Sequence, residues 1–241
     1  MTTGYKQFKG FTLAEVLITL GVIGVIAALT IPTLVNNSRK SELRSRFQKA
    51  NAIVNIAVTQ LVNDNNITNL QEEYCYQLDD TCKSGSWIGL LTTEKLASDM
   101  APYLKTSFAS YTWGEDVSAW DKRTAIYNIV GGTSFAPTYW YSNAGSIYLP
   151  DGSFIDIVAP SNAWPQIAYD TNGNKGPNRF GYDIFWWVLQ GTKAVPTSWN
   201  YGDGQNCQLT DAGYSGVTCA QYAIKDQCPW DDTKGYWQCL P

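Results

Sequence analysis

The feature that most constrains this chain is a long apolar run near its N-terminus. Residues 10–32 read GFTLAEVLITLGVIGVIAALTIP, and Glu15 is the only ionisable side chain within residues 11–35. A helix of that length measures about 37 Å, enough to cross a hydrocarbon core of roughly 30 Å. The sequence therefore predicts a membrane-spanning helix. Glu15 needs an explanation, because a carboxylate at mid-bilayer costs about 2.5–3.5 kcal/mol.

Two ordinary explanations of this run stay open from the residues alone. A cleaved secretory signal would use Lys6 and Lys9 as its basic start and a small-residue cleavage site ending at Ala27. A plain membrane anchor would place Glu15 near one interface. A buried core helix does not fit, because soluble helices seldom carry an apolar run of this length.

Residues 10–15, Gly-Phe-Thr-Leu-Ala-Glu, resemble the processing site of type IV prepilins and type II secretion pseudopilins. The resemblance joins a short basic leader, a glycine before an apolar aromatic residue, and an acid as the fifth residue after the cut. It implies that prepilin peptidase cleaves between Gly10 and Phe11 and that the new Phe11 amine is methylated. It also implies that Glu15 pairs with the terminal amine of a neighbouring subunit, so that two costly charges offset one another. Pro32 falls where the family carries a helix-bending proline.

The resemblance also implies a function. It indicates a structural subunit of a type IV pilus or a type II secretion pseudopilus, held in the bacterial inner membrane with its head outside the cytoplasm and then assembled into a periplasmic or cell-surface filament. Its partners would be prepilin peptidase and other pilin or pseudopilin subunits in a helical polymer. The alternative is a tip-located minor pilin that acts as an adhesin or glycan-binding module. Residues 36–63 carry five basic residues and one acid, which alone would favour the reverse orientation, but the family shows a similar basic stretch.

The predicted fold class is α+β: a long N-terminal α-helix, membrane-spanning in its first half, packed against an antiparallel β-sheet head as in pilins. Beyond the apolar run, apolar residues recur at spacings of three and four, at Phe47, Ala50, Val54, Ala57 and Leu61. That spacing puts them on one helix face, and the two alanines favour close packing against a sheet over a self-pairing coiled coil. The predicted segments are a leader at 1–10, a transmembrane and assembly helix at 11–35, an amphipathic continuation at 36–62 and a disulfide-stapled head at 63–241.

Several elements of the head are readable from turn chemistry. Residues 146–149 and 153–158 flank Pro150-Asp151-Gly152, which predicts a β-hairpin. Residues 164–169 and 182–189 are typical of two further strands around a polar loop. Thr92 or Thr93 is predicted to cap a short helix that ends near Pro102.

The polar loop that begins at Asp170 places oxygen-bearing side chains at alternate positions. Asp170, Asn172 and Asn174 are candidate ligands, with Asp183 as a later one, and such oxygens suit a hard cation such as calcium. The loop departs from the EF-hand pattern in its glycine position and in lacking the bidentate glutamate. A Gly/Asn-rich connection chosen for tight turns is the open alternative. The resemblance adds that similar loops recur in pseudopilin-like heads.

The chain has six cysteines, all on the side that would be exported. An even number in that compartment predicts disulfides, whereas the absence of histidine and of any C-x-x-C pair argues against zinc. Six cysteines allow 15 connectivities, so pairing by proximity is one possibility among them. It gives three candidate bonds: Cys75 with Cys82, Cys207 with Cys219, and Cys228 with Cys239.

Charge and composition narrow the function classes. From Asp64 onward the chain has 10 basic and 19 acidic residues, and such an acidic head is not expected to bind nucleic acid, which requires phosphate neutralisation. An enzyme is not expected, since histidine is absent and the cysteines are predicted to be oxidised, although paired carboxylates stay open. No cofactor is expected apart from possible calcium. Exposed aromatics at 139–141 or 185–187 would favour the adhesin, and buried ones a structural subunit.

Overall fold

The computed structural model describes residues 10–74, 89–104, 108–109, 126–132, 134–135, 145–158, 165–197, 207–210 and 215–241. The chain divides into two compact units, Met1–Glu42 and Leu43–Pro241. A long helix and an antiparallel sheet are the main elements, which confirms the α+β fold class. The four predicted segment boundaries stay predictions.

The first unit contains the start of helix α1, Leu13–Asp64. Nearly all side chains of residues 10–42, the described part of this unit, are exposed. Two hydroxyls of its apolar run are satisfied within the helix, because Thr19 and Thr30 donate to the carbonyl oxygens of Val16 and Ile26 at 3.0 and 2.9 Å. A helix that satisfies its own polar groups is what a hydrocarbon environment requires. By length and composition α1 can cross a membrane.

The second unit contains the rest of α1, and this part carries the predicted apolar stripe. Its buried residues are Leu43, Phe47, Ala50, Val54, Ala57, Val58 and Leu61. All five predicted positions are among them, so the stripe is confirmed. The Phe47 ring lies with its centroid 4.4 Å from Phe185 and 6.0 Å from Trp187. Both partners belong to a strand of the sheet, so the helix packs on the sheet as predicted.

The main sheet has six antiparallel strands. In spatial order they are β1 (Phe108–Ala109), β4 (Gly145–Tyr148), β5 (Phe154–Val158), β6 (Gln166–Asp170), β7 (Ile184–Gln190) and β8 (Lys193–Val195). Two short strands, β2 (Ile126–Tyr127) and β3 (Ser134–Phe135), pair separately. From β4 onward, strands that are adjacent in space are consecutive in sequence, so this part of the sheet is a meander.

The predicted hairpin is confirmed by strands β4 and β5. Ile147 lies opposite Ile155, and the turn is closed by hydrogen bonds from Leu149 N to Ser153 O and from Gly152 N to Leu149 O, both 3.0 Å. Gly152 adopts φ +84°, a conformation that glycine reaches without strain. The Pro-Asp-Gly sequence therefore fixes the register of this pair.

The two further predicted strands are present as β6 and β7, with shifted ends. Strand β7 begins at Ile184, two residues later than predicted, because the chain before it folds into a turn in which Tyr182 N and Ile184 N both donate to Arg179 O at 3.2 Å. The predicted threonine cap is wrong. Helix α3, Gly89–Met100, contains Thr92 and Thr93 in its interior. The two leucines before them extend the helical segment, which ends just before Pro102, where a 3-10 turn over Ala101–Leu104 follows.

Three short helices complete the second unit: α2 (Leu70–Tyr74), α4 (Ala220–Lys225) and α5 (Tyr236–Cys239). Disulfides join Cys207 to Cys219 and Cys228 to Cys239, with Cα atoms 4.9 and 6.1 Å apart. These bonds hold a C-terminal region with little regular structure. The candidate bond between Cys75 and Cys82 lies outside the described residues.

Candidate functional site

Thr12 and Glu15 form a capping box at the start of α1. The amide and the hydroxyl of Thr12 both donate to Glu15 Oε2 at 2.8 Å, and Glu15 N donates to Thr12 Oγ1 at 3.2 Å. This arrangement satisfies helix N-terminal N–H groups that have no partner within the helix. The Thr-Leu-Ala-Glu sequence is the signature of such a box, although the predictions from sequence do not include it. The single acid of the apolar run therefore has a local structural role.

The Glu15 carboxylate is exposed and faces no cation within the described part of the chain. Its position at a helix N-terminus favours a negative charge, since the helix dipole is positive at that end. In a hydrocarbon environment, however, these local hydrogen bonds leave the net charge uncompensated. The carboxylate is thus held in a fixed place where a positive partner from another molecule can meet it.

Gly10 and Phe11 precede this box and are free of packing constraints. A Cβ atom added to Gly10 would meet no atom within 4 Å, and the Phe11 side chain is 87 % exposed. The part of the fold that the structure describes therefore does not require glycine at position 10. Pro32 lies inside α1, and because proline has no N–H, the carbonyl oxygen of Ala28 lacks its usual helical donor.

The helix after Glu15 presents a continuous apolar surface within the first unit. Its large exposed hydrophobic side chains are Val16, Leu17, Ile18, Leu20, Val22, Ile23, Val25, Ile26, Leu29, Ile31, Leu34 and Val35. Soluble monomers rarely expose an apolar area of this extent, which marks a surface covered by lipid or by other protein.

Basic residues at the start of the second unit pair with acids and carbonyls of the same unit. Arg44 Nη2 lies 2.9 Å from Asp226 Oδ2, and Lys49 Nζ lies 2.5 Å from Asp151 Oδ2. Burial would raise the pKa of Asp151, but hydrogen bonds from Lys49 and Ser153 lower it to about 2. Lys49 thus joins the helix to the turn between β4 and β5, and Arg44 joins it to the residue that follows α4, contacts that the sequence did not indicate.

The candidate calcium loop connects the neighbouring interior strands β6 and β7 at one end of the sheet. Asp170 ends β6 and Asp183 immediately precedes β7, and both side chains are fully buried. Thr171 N donates to Asp183 O at 2.8 Å, which ties the two ends of the loop together. Asp170 Oδ1 accepts hydrogen bonds from Asn172 N at 2.9 Å and Gly173 N at 2.7 Å. The structure thus brings together three of the four candidate ligands.

Asp183 is held by three further donors. Its Oδ2 accepts from Asn172 Nδ2 at 3.0 Å and Asn178 N at 2.9 Å, and its Oδ1 accepts from Arg179 N at 2.7 Å. Burial, together with the neighbouring charge of Asp170, raises the pKa of Asp183 well above its ordinary value, against the lowering effect of these hydrogen bonds. The loop therefore brings two carboxyl groups together in a buried place, where a second negative charge is unfavourable.

Three side-chain oxygens of the loop are buried and have no hydrogen-bond partner: Thr171 Oγ1, Asn172 Oδ1 and Asn178 Oδ1. Asn174 lies in a 3-10 turn over Gly173–Lys175, and its side chain is outside the described residues. Within the described ranges, no three His, Cys, Asp or Glu side chains converge as a metal-binding group. The loop instead offers two carboxylates with amide and hydroxyl oxygens, a donor set that fits a hard cation.

The aromatic side chains of residues 185–187 are buried. Phe185 and Trp187 pack with Phe47 and Trp186 is 5 % exposed. Tyr148 is an exposed aromatic side chain, at 48 %. The cluster at 139–141 lies outside the described residues.

Two comparisons with known proteins give matches to part of this chain. A family model described as the prokaryotic N-terminal methylation motif matches residues 5–31. Over 40 residues the chain is 40 % identical to type II secretion system core protein G of Pectobacterium carotovorum subsp. carotovorum, a match that covers 17 % of this chain and 25 % of that protein. No solved structure matches the chain significantly. The N-terminal segment thus carries the prepilin-type methylation motif that the sequence resembles.

Proposed function

We propose that the chain is the membrane-inserted precursor of a structural subunit of a type IV pilus or type II secretion pseudopilus. The observation that carries this proposal is the methylation motif at residues 5–31, which includes most of the exposed apolar part of α1. Similarity to core protein G over 40 residues supports the same class of protein. The role is structural, not catalytic.

Processing takes place between Gly10 and Phe11, by prepilin peptidase, and is followed by methylation of the Phe11 amine. The exposure of Phe11 and the open space around Gly10 support this step, because a peptidase must bind the segment in an accessible conformation. Glycine at position 10 meets a requirement of the peptidase, since no described atom of this chain lies where a side chain there would extend.

Assembly uses Glu15 and the apolar surface of α1. The capping box holds the Glu15 carboxylate at the helix start, where the Phe11 amine of a neighbouring subunit pairs with it. In a low-dielectric environment this pairing offsets the cost of both charges and sets the register between subunits. Lipid covers the apolar surface before assembly and neighbouring helices cover it afterwards. Pro32 provides a local bend or melting point in the filament.

The precursor resides in the bacterial inner membrane with its head outside the cytoplasm, and the filament is periplasmic or on the cell surface. Disulfides in the head support an oxidising compartment on that side. The buried aromatics at 185–187 favour a structural subunit over a tip-located adhesin. The adhesin alternative stays a prediction that depends on residues 139–141.

Intact mass spectrometry of the full chain, expressed with and without prepilin peptidase, tests the proposal. We expect a peptidase-dependent product that begins at Phe11 and carries one added methyl group. Gly10→Leu is the matched variant, because the added side chain has open space in the fold yet should block cleavage. A chain that stays uncut, or one cut near Ala27, would reduce the segment to an anchor or a secretory signal.

A further inference from the structure

The segment between α1 and α2 contains an asparagine and a threonine at the spacing of an N-glycosylation acceptor. It reads Asn66-Ile67-Thr68, and its middle residue is not proline, as the acceptor sequence requires. Asn66 and Thr68 are exposed, whereas Ile67 packs partly buried against the core. The fold therefore presents the two chemically important residues of this sequence at the surface of the second unit.

The backbone at Asn66 forms the turn that ends α1. Asn66 is in the left-handed region at φ +51°. Its N donates to Asn63 O at 3.4 Å, and Ile67 N donates to Val62 O at 3.0 Å, which are the two hydrogen bonds of a Schellman motif. Glycine and asparagine are the usual residues at this left-handed position. The turn thus accounts for asparagine at position 66, but it makes no demand for threonine at position 68.

The side chains of Asn66 and Thr68 differ from those of the neighbouring asparagines. Asn65 Nδ2 donates to a carbonyl oxygen of α1, and Asn69 Oδ1 accepts a hydrogen bond from a backbone N of α2, both at 3.0 Å. No hydrogen bond joins the side chains of Asn66 and Thr68 to any residue that the structure describes. Both residues line an open polar cleft of about 330 Å³. The amide and the hydroxyl are therefore accessible and are not needed to hold this turn.

An acidic side chain precedes the acceptor sequence. Asp64 lies two residues before Asn66 and is exposed. N-glycosylation on the exported side of a bacterial membrane takes its sugar from a polyprenyl diphosphate, an anion that the enzyme holds with positive groups. Such positive groups attract a carboxylate that lies near the acceptor. Asp64 should therefore promote binding of this segment to the enzyme.

We propose that Asn66 is the acceptor of one N-linked oligosaccharide, attached by an oligosaccharyltransferase. Asn66 Nδ2 attacks C1 of the first sugar of a polyprenyl-diphosphate-linked oligosaccharide. The bond between C1 and the diphosphate oxygen breaks, and one Nδ2 proton passes to the departing polyprenyl diphosphate. This inference rests on the proposed location of the head outside the cytoplasm. The attached glycan would add a bulky polar group to the surface of the head at the end of α1.

Co-expression of the full chain with a bacterial oligosaccharyltransferase and its lipid-linked oligosaccharide, in a host that otherwise lacks this pathway, tests the proposal. We expect the intact mass to increase by the mass of one oligosaccharide, and tandem mass spectrometry to locate the glycan on Asn66. Asn36-Asn37-Ser38 is the internal control, because the same spacing lies within α1 and has Leu34 in place of the acid. A glycan on Asn36 instead of Asn66, or on both, would contradict the reasoning from the exposed turn.

Variants separate modification from folding. Asn66→Gly removes the acceptor but suits the left-handed position, so the mass increase should disappear while the unfolding midpoint stays close to that of the wild type. Thr68→Ala should also abolish the mass increase, whereas Thr68→Ser should retain it, because either hydroxyl completes the acceptor sequence. Asp64→Asn should lower the modified fraction several-fold, and Asp64→Glu should restore it. Equal modification of Thr68→Ala and Thr68→Ser would overturn the assignment.

Protease treatment of spheroplasts from the same cells distinguishes failure of this site from failure of the proposed location. A head that protease digests but that carries no glycan, in cells where a secreted control acceptor is modified, would overturn the glycosylation site alone. A head that is protected from protease and unmodified would overturn both the site and the proposed location outside the cytoplasm. A digested head with a glycan on Asn66 is the result that the proposal predicts.

Discussion

Replacing Phe47 with alanine should strongly destabilise the second unit. Phe47 is 1 % exposed, and its ring packs against Phe185, Trp187 and Trp237 with centroids 4.4, 6.0 and 5.5 Å away. Truncating a fully buried phenylalanine costs about 3–5 kcal/mol, because transfer free energy is lost and a cavity remains. For a unit of this size each kcal/mol lowers the unfolding midpoint by about 2–4 °C, so the expected decrease is roughly 6–20 °C.

Thermal unfolding of the detergent-solubilised full chain, followed by near-UV circular dichroism, measures this decrease. Ile56→Ala on the same helix is the control, because Ile56 is 56 % exposed and surface changes usually stay within about 0.5 kcal/mol. If Phe47→Ala and Ile56→Ala unfolded at the same temperature as the wild type, the second half of α1 would not be part of the core of this unit. The assignment of the buried stripe would then be wrong.

Two further predictions concern the stability of the second unit. Replacing both Cys207 and Cys219 by serine should lower the free energy of unfolding by about 3 kcal/mol in the chain-entropy model, since the bond closes a short loop. A denaturant midpoint equal to that of the wild type would contradict this prediction. The Asp151 carboxylate, whose pKa is lowered to about 2, should contribute stability above pH 4 that is lost as the pH falls towards 2. Partial exposure limits this contribution to about 1 kcal/mol. The difference in unfolding midpoint between the wild type and Asp151→Asn should therefore shrink as the pH falls from 4 towards 2. A difference that does not change with pH would exclude the ion pair with Lys49 as its cause.

The sequence predicted those parts of the fold whose signal is periodic or local. The stripe from Phe47 to Leu61 follows helical spacing, and the hairpin at Asp151 follows turn chemistry, so neither needs long-range information. The early start of α3 and the edge strand β8 were not predicted, because a three-residue strand has too little pattern and takes its pairing from β7. The partners of Arg44 and Lys49 depend on where distant segments meet.

The candidate sites likewise divide into features that a local sequence pattern predicts and features that depend on the folded backbone. The motif around Gly10 was readable because its pieces are contiguous, although the capping role of Thr12 was missed even with its sequence signature present. In the loop between β6 and β7, the alternation of oxygen-bearing residues identified Asp170 and Asn172. It did not identify Asn178, whose side-chain oxygen is also buried there. The chain turns through positive φ at Gly173 and Asn178, which changes which side chains turn inward. Residue spacing along the sequence does not reveal backbone geometry of that kind.

Incorporation of a Glu15→Val variant into filaments is the measurement that tests the central claim most directly. The variant is expressed with prepilin peptidase and the assembly machinery, and the mature chain is quantified in sheared filaments and in membranes. We expect near-normal cleavage with a large loss from the filament fraction, because the Phe11 amine loses its partner. Thr19→Val, which removes a hydroxyl bonded only to Val16 O of its own helix, should assemble normally. Normal incorporation of Glu15→Val would contradict assembly through this carboxylate.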